Sequence, residues 1–307
     1  MKIFIDKRGI TQKHIEEIKS KFLNVEFITE VEKSYDSIAM LAYPDYIVKE
    51  NIDKYPNLKW IQVYTAGFNT IDLDYLREKN ILLTNGKDVY SKTIAEDVFT
   101  KVLSINRNVR FYFDNMKTGT WKQMKNEVEL TGSTVGIIGT GSIGKEIAKR
   151  FKSFETKVIG HKRTKEAVEY FDEIYTGSDG LNELIKISDY IILALPLNDE
   201  SLNLMNKDKF KLMKNSAVLV NIARGEVVNQ DDLIYALENK MIRACALDVT
   251  VPEPLPKDSK LWSFDNVFIT PHNAMSSPLL QNRLTNLLIE NLNNYINKRE
   301  ILNLVKE

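Results

Sequence analysis

Short apolar runs alternate along this chain with longer stretches whose apolar residues recur every three or four positions. In the first part the runs are Ile3 to Ile5, Val25 to Ile28, Tyr46 to Val48, Leu58 to Tyr64 and Ile81 to Thr84. Each has the length and apolar content of a buried strand. Between the first two, Ile15, Ile18 and Phe22 mark the inner face of a helix over Thr11 to Phe22. From Lys92 to about Met116, the spacing of Ile94, Val98, Val102, Ile105 and Val109 predicts one helix, long enough to bridge two domains. Further strands are expected at Lys157 to Gly160, Tyr190 to Leu195, Ala217 to Ile222, Arg243 to Leu247 and Val267 to Thr270. Further helices are expected at Leu181 to Ile187, at Asp231 to Asn239 with Asn229 as cap, and from Pro278 to Asn297. Strands alternating with helices imply parallel βαβ units.

One stretch anchors the rest. Thr134-Val135-Gly136-Ile137-Ile138 is a strand pattern that feeds Gly139-Thr140-Gly141-Ser142-Ile143-Gly144. Ile143, Ile147, Ala148, Phe151 and Phe154 then fall on one helical face. A Gly-x-Gly-x-x-Gly turn between strand and helix is the setting in which a dinucleotide pyrophosphate binds. Gly139 allows the tight turn, Gly141 lets the backbone approach the phosphates, and Gly144 brings the helix close to its strand. The helix start adds unpaired N–H groups and a partial positive charge.

The order of elements sets the domains. A strand-helix block precedes the glycine turn, and a single helix follows the last strand. The simplest packing returns that helix to the first block. Residues 1–99 and 277–307 are then expected to form a discontinuous substrate domain, and residues 100–276 the dinucleotide-binding domain. The two crossings would be a hinge, with a cleft between the domains.

A chain of 307 residues supports two cores, and 42 basic against 42 acidic residues leave no formal net charge. That balance favours neither nucleic acid nor an anionic membrane as partner. The lone cysteine, Cys245, rules out an intrachain disulfide and fits a reducing compartment. Met1 to Asp6 is charged too soon for a signal peptide, and the longest apolar run, Tyr190 to Leu197, is short of a membrane span. A soluble, cytoplasmic protein is expected.

In parallel α/β sheets, ligands bind beyond the carboxyl ends of the strands. The unusual residues of this chain gather there: Ala66-Gly67, the glycine turn, Pro196, Ala223-Arg224-Gly225, Asp248 and His272. His272 follows a strand in Thr270-Pro271-His272-Asn273, and an imidazole gives and takes protons near neutral pH. The plainer alternative is a core histidine bonded to backbone. His14, in a polar-flanked helix, needs no role. Glu253 stands between Pro252 and Pro254, which fix the backbone around one carboxylate. Beside an imidazole, such a group holds the tautomer and favours the protonated form. The fork of Arg224 suits a carboxylate. Asp248 suits a nicotinamide amide, or the support of a neighbour. Next to a dinucleotide, a proton donor, its tuner and a carboxylate clamp are the equipment for reducing a 2-oxo acid. Arg224, His272 and the N–H groups near Ala66 and Gly67 would hold that substrate, and no metal is called for.

At these residues the chain resembles the D-2-hydroxyacid dehydrogenase family over nearly its whole length. The resemblance rests on Thr65 to Asp72, Ile94-Ala95-Glu96, Asn221 to Gly225, Ala246 to Val249, Pro252 to Leu255 and Thr270-Pro271-His272. It implies Arg224, Glu253 and His272 as the catalytic set. It also implies a Rossmann-type doubly wound domain beside a flavodoxin-like substrate domain, the D configuration, and a homodimer built mainly through the nucleotide domains. Two departures stand out. Asn229 takes a position where the family often has Asp, and Asn273-Ala274-Met275-Ser276-Ser277 replaces a glycine-rich stretch after the histidine.

The cofactor expectation turns on the second nucleotide strand. An acid about 20 residues beyond the glycines normally holds the ribose 2′-hydroxyl. Here Val158-Ile159-Gly160 leads to His161-Lys162-Arg163-Thr164, with no acid before Glu166. Lys162, Arg163 and Thr164 suit a 2′-phosphate, so NADP(H) is expected over NAD(H). The expected cofactor contacts are Gly139, Thr140, Gly141, Ser142, Ile143, Gly144, Lys162, Arg163, Thr164, Pro196, Ala223, Asp248 and His272. Two alternatives accompany the reductase. One is a phosphoglycerate dehydrogenase, expected without a regulatory domain after the last helix. The other is a dinucleotide-sensing binding protein without turnover. An L-lactate or malate dehydrogenase would place the glycine turn near its N-terminus, and here it lies mid-chain.

Overall fold

The computed structural model describes residues 1–305. The chain divides into two compact units, Met1–Tyr90 with the residues from Ser277 onward, and Ser91–Ser276. Each is built on one sheet whose strands all pair in parallel.

The first unit holds β1 (Lys2–Ile5), β2 (Glu26–Ile28), β3 (Ala39–Ala42), β4 (Trp60–Val63) and β5 (Leu82–Thr84), in the order β2-β1-β3-β4-β5. That is the flavodoxin-like order. Helices α1 (Gln12–Lys21), α2 (Lys49–Ile52) and α3 (Leu73–Glu78) connect the strands. The third strand is not Tyr46 to Val48 as the sequence pattern suggested. Pro44 opens a short 3-10 turn over Pro44–Tyr46, and a proline has no N–H for a ladder. The strand lies at Ala39-Met40-Leu41-Ala42, fully buried between β1 and β4. None of these residues is β-branched or aromatic, so propensity hid it.

The C-terminal helix, Leu280–Ile296, does return to this first block and packs on α1. Leu284, Leu288 and Leu292 are buried, as are Ile15 and Ile18. His14 is buried between the two helices, with Nδ1 2.6 Å from Thr11 Oγ1 and Nε2 2.8 Å from Asn282 Oδ1. Tyr295 stacks on Trp60 with ring centroids 4.8 Å apart. Buried Asn291 donates to Gln62 Oε1 at 2.7 Å and accepts from the Leu302 N–H at 2.8 Å. Gln62 also accepts from Thr84, which in turn accepts from the Trp60 indole N–H. Val305 donates to the Leu83 carbonyl and so covers part of the open edge of β5.

The second unit runs α4 (Ser91–Asn106), α5 (Val109–Lys117), β6 (Thr134–Ile138), α6 (Ser142–Lys152), β7 (Lys157–His161), β8 (Glu173–Tyr175), α7 (Gly177–Ile187), β9 (Tyr190–Leu193), α8 (Lys207–Leu212), β10 (Val218–Asn221), α9 (Gln230–Glu238), β11 (Ala244–Leu247) and β12 (Val267–Ile269). Its strand order is β12-β11-β10-β9-β6-β7-β8, the doubly wound arrangement with a reversal of direction between β6 and β9. The central strands are buried on both faces, which is why they read as unbroken apolar runs.

The expected long helix is two. Asn108 adopts φ 48 and ψ 42, a left-handed conformation that asparagine tolerates and that ends the helical path. Just before it, buried Asn106 donates to the Tyr190 hydroxyl at 2.7 Å and accepts from Arg243 at 2.7 Å, fixing the end of α4. Ala95, Val98, Phe99 and Val102 lie in one core with Ile147, Phe151 and Val158. The whole of α4 therefore belongs to the second unit, and the division falls at residues 90/91, before that helix. The sequence pattern had placed it at 99/100, inside the helix. Among the described residues, no helix is long and apolar enough to cross a membrane.

Candidate active site

The strand ends of the second unit lie at one level. Ile138 pairs with His161 and Leu193, Leu193 with Asn221, Asn221 with Leu247, and Leu247 with Ile269. The residues that follow these ends are the glycine turn, Lys162, Ala194 to Pro196, Ile222 to Arg224, Asp248 and Thr270 to His272. Register thus brings the candidates of this unit to one edge. A cavity of about 550 Å³, lined in part by Arg110, Phe111, Arg243, Asp265 and Phe268, lies at the amino ends of β11 and β12, and no candidate lines it.

The glycine turn sits at the reversal between β6 and β9. Gly139 has φ 105, and a Cβ there would come 2.3 Å from the Ala194 carbonyl oxygen. At Gly144 a Cβ would come 2.1 Å from the Gly139 oxygen, so α6 closes tightly onto the turn. Gly141 is different, since nothing lies within 4 Å of its Cβ position. It is the N-cap of α6 and offers no side-chain acceptor, so the first N–H groups of the helix are left for a ligand. An open, uncapped helix start flanked by two glycines that admit no side chain fits a dinucleotide pyrophosphate. Thr140 is buried, and its methyl would meet a Cβ at Gly160. Pro196 is exposed, and its carbonyl accepts from Ser201 Oγ at 2.8 Å.

Beyond β7 the basic loop is less uniform than its sequence. Glu166 folds back and accepts from Lys162 at 2.8 Å and from Thr164 at 2.7 Å. The Lys162 bond, then Thr164, holds the Glu166 carboxyl below the usual carboxylate range. Arg163 is exposed and has no ion pair among the described residues.

His272 Nδ1 lies 2.8 Å from Glu253 Oε2, and the other oxygen of Glu253 accepts from the Thr250 N–H at 3.1 Å. His272 is 44% exposed, and among the described residues its Nε2 has no protein partner. The residue adopts φ 50, uncommon for a side chain of this size. It is held there by its N–H, which donates to the Asp248 carbonyl at 2.8 Å and to Thr270 at 3.0 Å.

Asp248 is 3% exposed and its carboxylate is engaged inside the protein. It accepts from Thr270 Oγ1 at 2.5 Å, from the Asn273 N–H at 3.1 Å and from the Ala274 N–H at 3.1 Å. Fully buried Lys101 on α4 stands 3.7 Å from it and bonds Asp97 one turn earlier. Burial pushes the Asp97 carboxyl above its ordinary value, against the pull of Lys101.

Arg224 is half-buried on a turn shaped by Asn221. The Asn221 amide accepts from the Ala223 N–H at 3.0 Å and donates to the Arg224 carbonyl at 2.9 Å. One guanidinium N–H of Arg224 donates to the Ala223 carbonyl at 2.7 Å. A Cβ on Gly225 would come 2.2 Å from the Thr250 carbonyl oxygen, so only glycine lets the arginine turn press against the Glu253 loop. Gln230 locks that contact, donating to the Val251 carbonyl at 2.5 Å and accepting its N–H at 3.1 Å.

Sequence reasoning gave no role to Lys101, Asp97, Gln230 or Thr250, nor to Asn221 and Thr270 within the motifs it quoted. Lys101 alone carried a signal, a lysine three residues after Val98 and four before Ile105 on the apolar stripe. In the first unit, Ala66 and Gly67 follow β4. The Ala66 carbonyl accepts from Asn85 at 2.9 Å and the Gly67 carbonyl from Thr65 at 2.6 Å.

Residues 99–274 match the family described as D-isomer specific 2-hydroxyacid dehydrogenase, NAD binding domain. The chain belongs to that family. It is an NAD(P)-dependent 2-hydroxyacid dehydrogenase. The human glyoxylate reductase/hydroxypyruvate reductase is 37% identical to this dehydrogenase over 257 residues, 81% of this chain and 77% of its own. A D-isomer specific 2-hydroxyacid dehydrogenase from Xanthobacter autotrophicus Py2, solved with NADPH and MES, has a TM-score of 0.83 at 25% identity, over 99% of this chain and 97% of its own. The D-lactate dehydrogenase from Aquifex aeolicus, solved with NAD and lactic acid, has a TM-score of 0.78 at 26% identity, over 99% of both chains.

Proposed function

We propose that this dehydrogenase reduces a small 2-oxo acid to the D-2-hydroxy acid, with NADPH preferred over NADH. The bond between His272 Nδ1 and Glu253 carries the reading. It fixes one ring nitrogen, so the other can face a substrate and donate its proton. When bound, the reduced nicotinamide supplies the hydride. His272 then protonates the oxygen that was the substrate carbonyl, and Glu253 compensates the charge of the imidazolium before transfer. Arg224 holds the substrate carboxylate through its fork. Asp248 retains lone-pair capacity on Oδ2 beyond the Ala274 bond, which a carboxamide N–H can use.

Exposed Arg163 supports the NADPH preference, with Lys162 and Thr164 released from Glu166 when a phosphate arrives. The Lys162–Glu166 pair is solvent-screened, so the exchange is easy. A homodimer is supported by side chains that a monomer leaves in water: Trp121 is 99% exposed, with Phe113 and Met116 on the preceding helix. A buried, unpaired Cys245 suits the cytoplasm. The test is NADPH oxidation, followed by absorbance, against glyoxylate, hydroxypyruvate and pyruvate, with chiral analysis of the product. Turnover giving the D product supports the reading. Tight NADPH binding with no turnover on any of them favours the sensor instead.

A further inference from the structure

Lys101 is fully buried on the inner face of α4, among Val98, Val102 and the sheet beneath. A lysine there loses its hydration, and an apolar side chain of like length would fill the space without that cost. Its bond to Asp97 does not account for it, because replacing a whole buried ion pair by apolar groups is often neutral or stabilising. The pair faces a third charge. Asp248 Oδ1 stands 3.7 Å away. Asp248 is also the hub of the loop that carries His272. Its carbonyl takes the His272 N–H, and its carboxylate takes Thr270 Oγ1 and the N–H groups of Asn273 and Ala274. All of these partners are donors, and the Lys101 ammonium is a cation facing the carboxylate that they share. Without the cation, the buried Asp248 carboxylate keeps its donors but loses the positive charge that faces it.

We propose that Lys101 is a positioning residue for the reduction, acting through Asp248 to seat the loop after β12 and with it the ring of His272. This rests on the assignment of His272 as the acid. Lys101 bonds Asp97 and faces Asp248; it holds the residue that holds the loop.

The experiment compares the full wild-type chain with Lys101→Met and with the charge-balanced double variant Asp97→Asn, Lys101→Met. Unfolding temperature, NADPH Kd by tryptophan fluorescence, steady-state kinetics and hydrogen exchange of the 270–276 segment are read together. If Lys101 served only to pair with Asp97, the double variant would recover everything. The expected result is that it recovers its Tm while kcat stays about 10- to 100-fold down, as misplacement of a catalytic group allows. NADPH Kd should stay within about threefold, which separates positioning from cofactor binding. Exchange at the Asn273 and Ala274 amides should be clearly faster. Wild-type kcat or wild-type exchange in a folded double variant overturns the proposal. Failure of both variants to fold overturns it too, since Lys101 would then be a folding residue. If the wild type binds NADPH but reduces no 2-oxo acid, the functional reading falls, and the exchange comparison still decides the role of Lys101.

Discussion

His272 and Glu253 are joined at 2.8 Å through Nδ1 and Oε2, and Thr250 steadies the second carboxylate oxygen from the backbone. The imidazole is thus oriented by a group that is itself oriented. His272→Ala should leave NADPH binding intact and cut kcat for 2-oxo acid reduction by about 10²–10⁴-fold. Glu253→Gln should retain more activity, because the amide can still meet Nδ1 and orient the ring. Steady-state kinetics check both. Unchanged turnover in His272→Ala removes it as the acid.

Arg224 keeps its charge in Arg224→Lys but loses the planar fork. A charge-assisted hydrogen bond is worth about 1.5–3 kcal/mol, so KM for the oxo acid should rise roughly 10- to 100-fold. The KM for the cofactor should hold. An unchanged glyoxylate or pyruvate titration refutes the clamp.

Arg163 is exposed after β7 and has no ion pair among the described residues. Arg163→Asp should raise KM for NADPH far more than KM for NADH. Equal effects on the two cofactors dismiss the 2′-phosphate assignment.

Two glycines of one turn should fail in different ways. Gly139→Ala puts a Cβ 2.3 Å from a carbonyl oxygen at φ 105, so Tm should fall and the folded yield with it. Gly141→Val points into open space, so Tm should hold while NADPH Kd rises by at least about tenfold, the added side chain standing where the pyrophosphate approaches. Calorimetry and fluorescence titration separate them. A Gly141→Val protein with unaltered NADPH affinity disproves the phosphate cradle.

Asn291 joins the C-terminal helix to β4 through Gln62 and to the chain end through Leu302. Asn291→Leu strands buried polar groups at both ends, a loss of about 2–6 kcal/mol at about 1–3 kcal/mol for each. The unfolding transition of the first unit should shift down accordingly, while NADPH affinity is kept. An unshifted melt contradicts the tie.

Much of this was legible in the sequence because its causes are local. A β-branched run before glycines, or Asn229 before a helix whose Asp232 N–H it caps, carries its own explanation. The strand-end rule also placed His272, Arg224 and Asp248 at one edge without any knowledge of strand order, since parallel strands share one carboxyl edge. What stayed hidden depends on contacts distant in sequence or on weak residues. β3 is made of residues with no strand preference and is a strand because β1 and β4 enclose it. Asn108 breaks a helix that periodicity would have continued. Glu166 turns back on Lys162 through a loop no pattern describes, and Gln230 meets Val251 only because α9 and the loop after β11 fold together.

A ribosome makes β1 to β5 long before it reaches Asn291 and Tyr295. At about 5–20 residues per second, the stretch from Tyr90 to Leu302 takes roughly 10–40 s to emerge. For all that time Gln62 and Trp60 wait for partners that are not yet synthesised. The nucleotide-binding half, contiguous in the message, has every strand by the time Ile269 is added. Of the two units, the one begun first is therefore finished second, and a truncation within Leu280–Ile296 strikes strands made long before it.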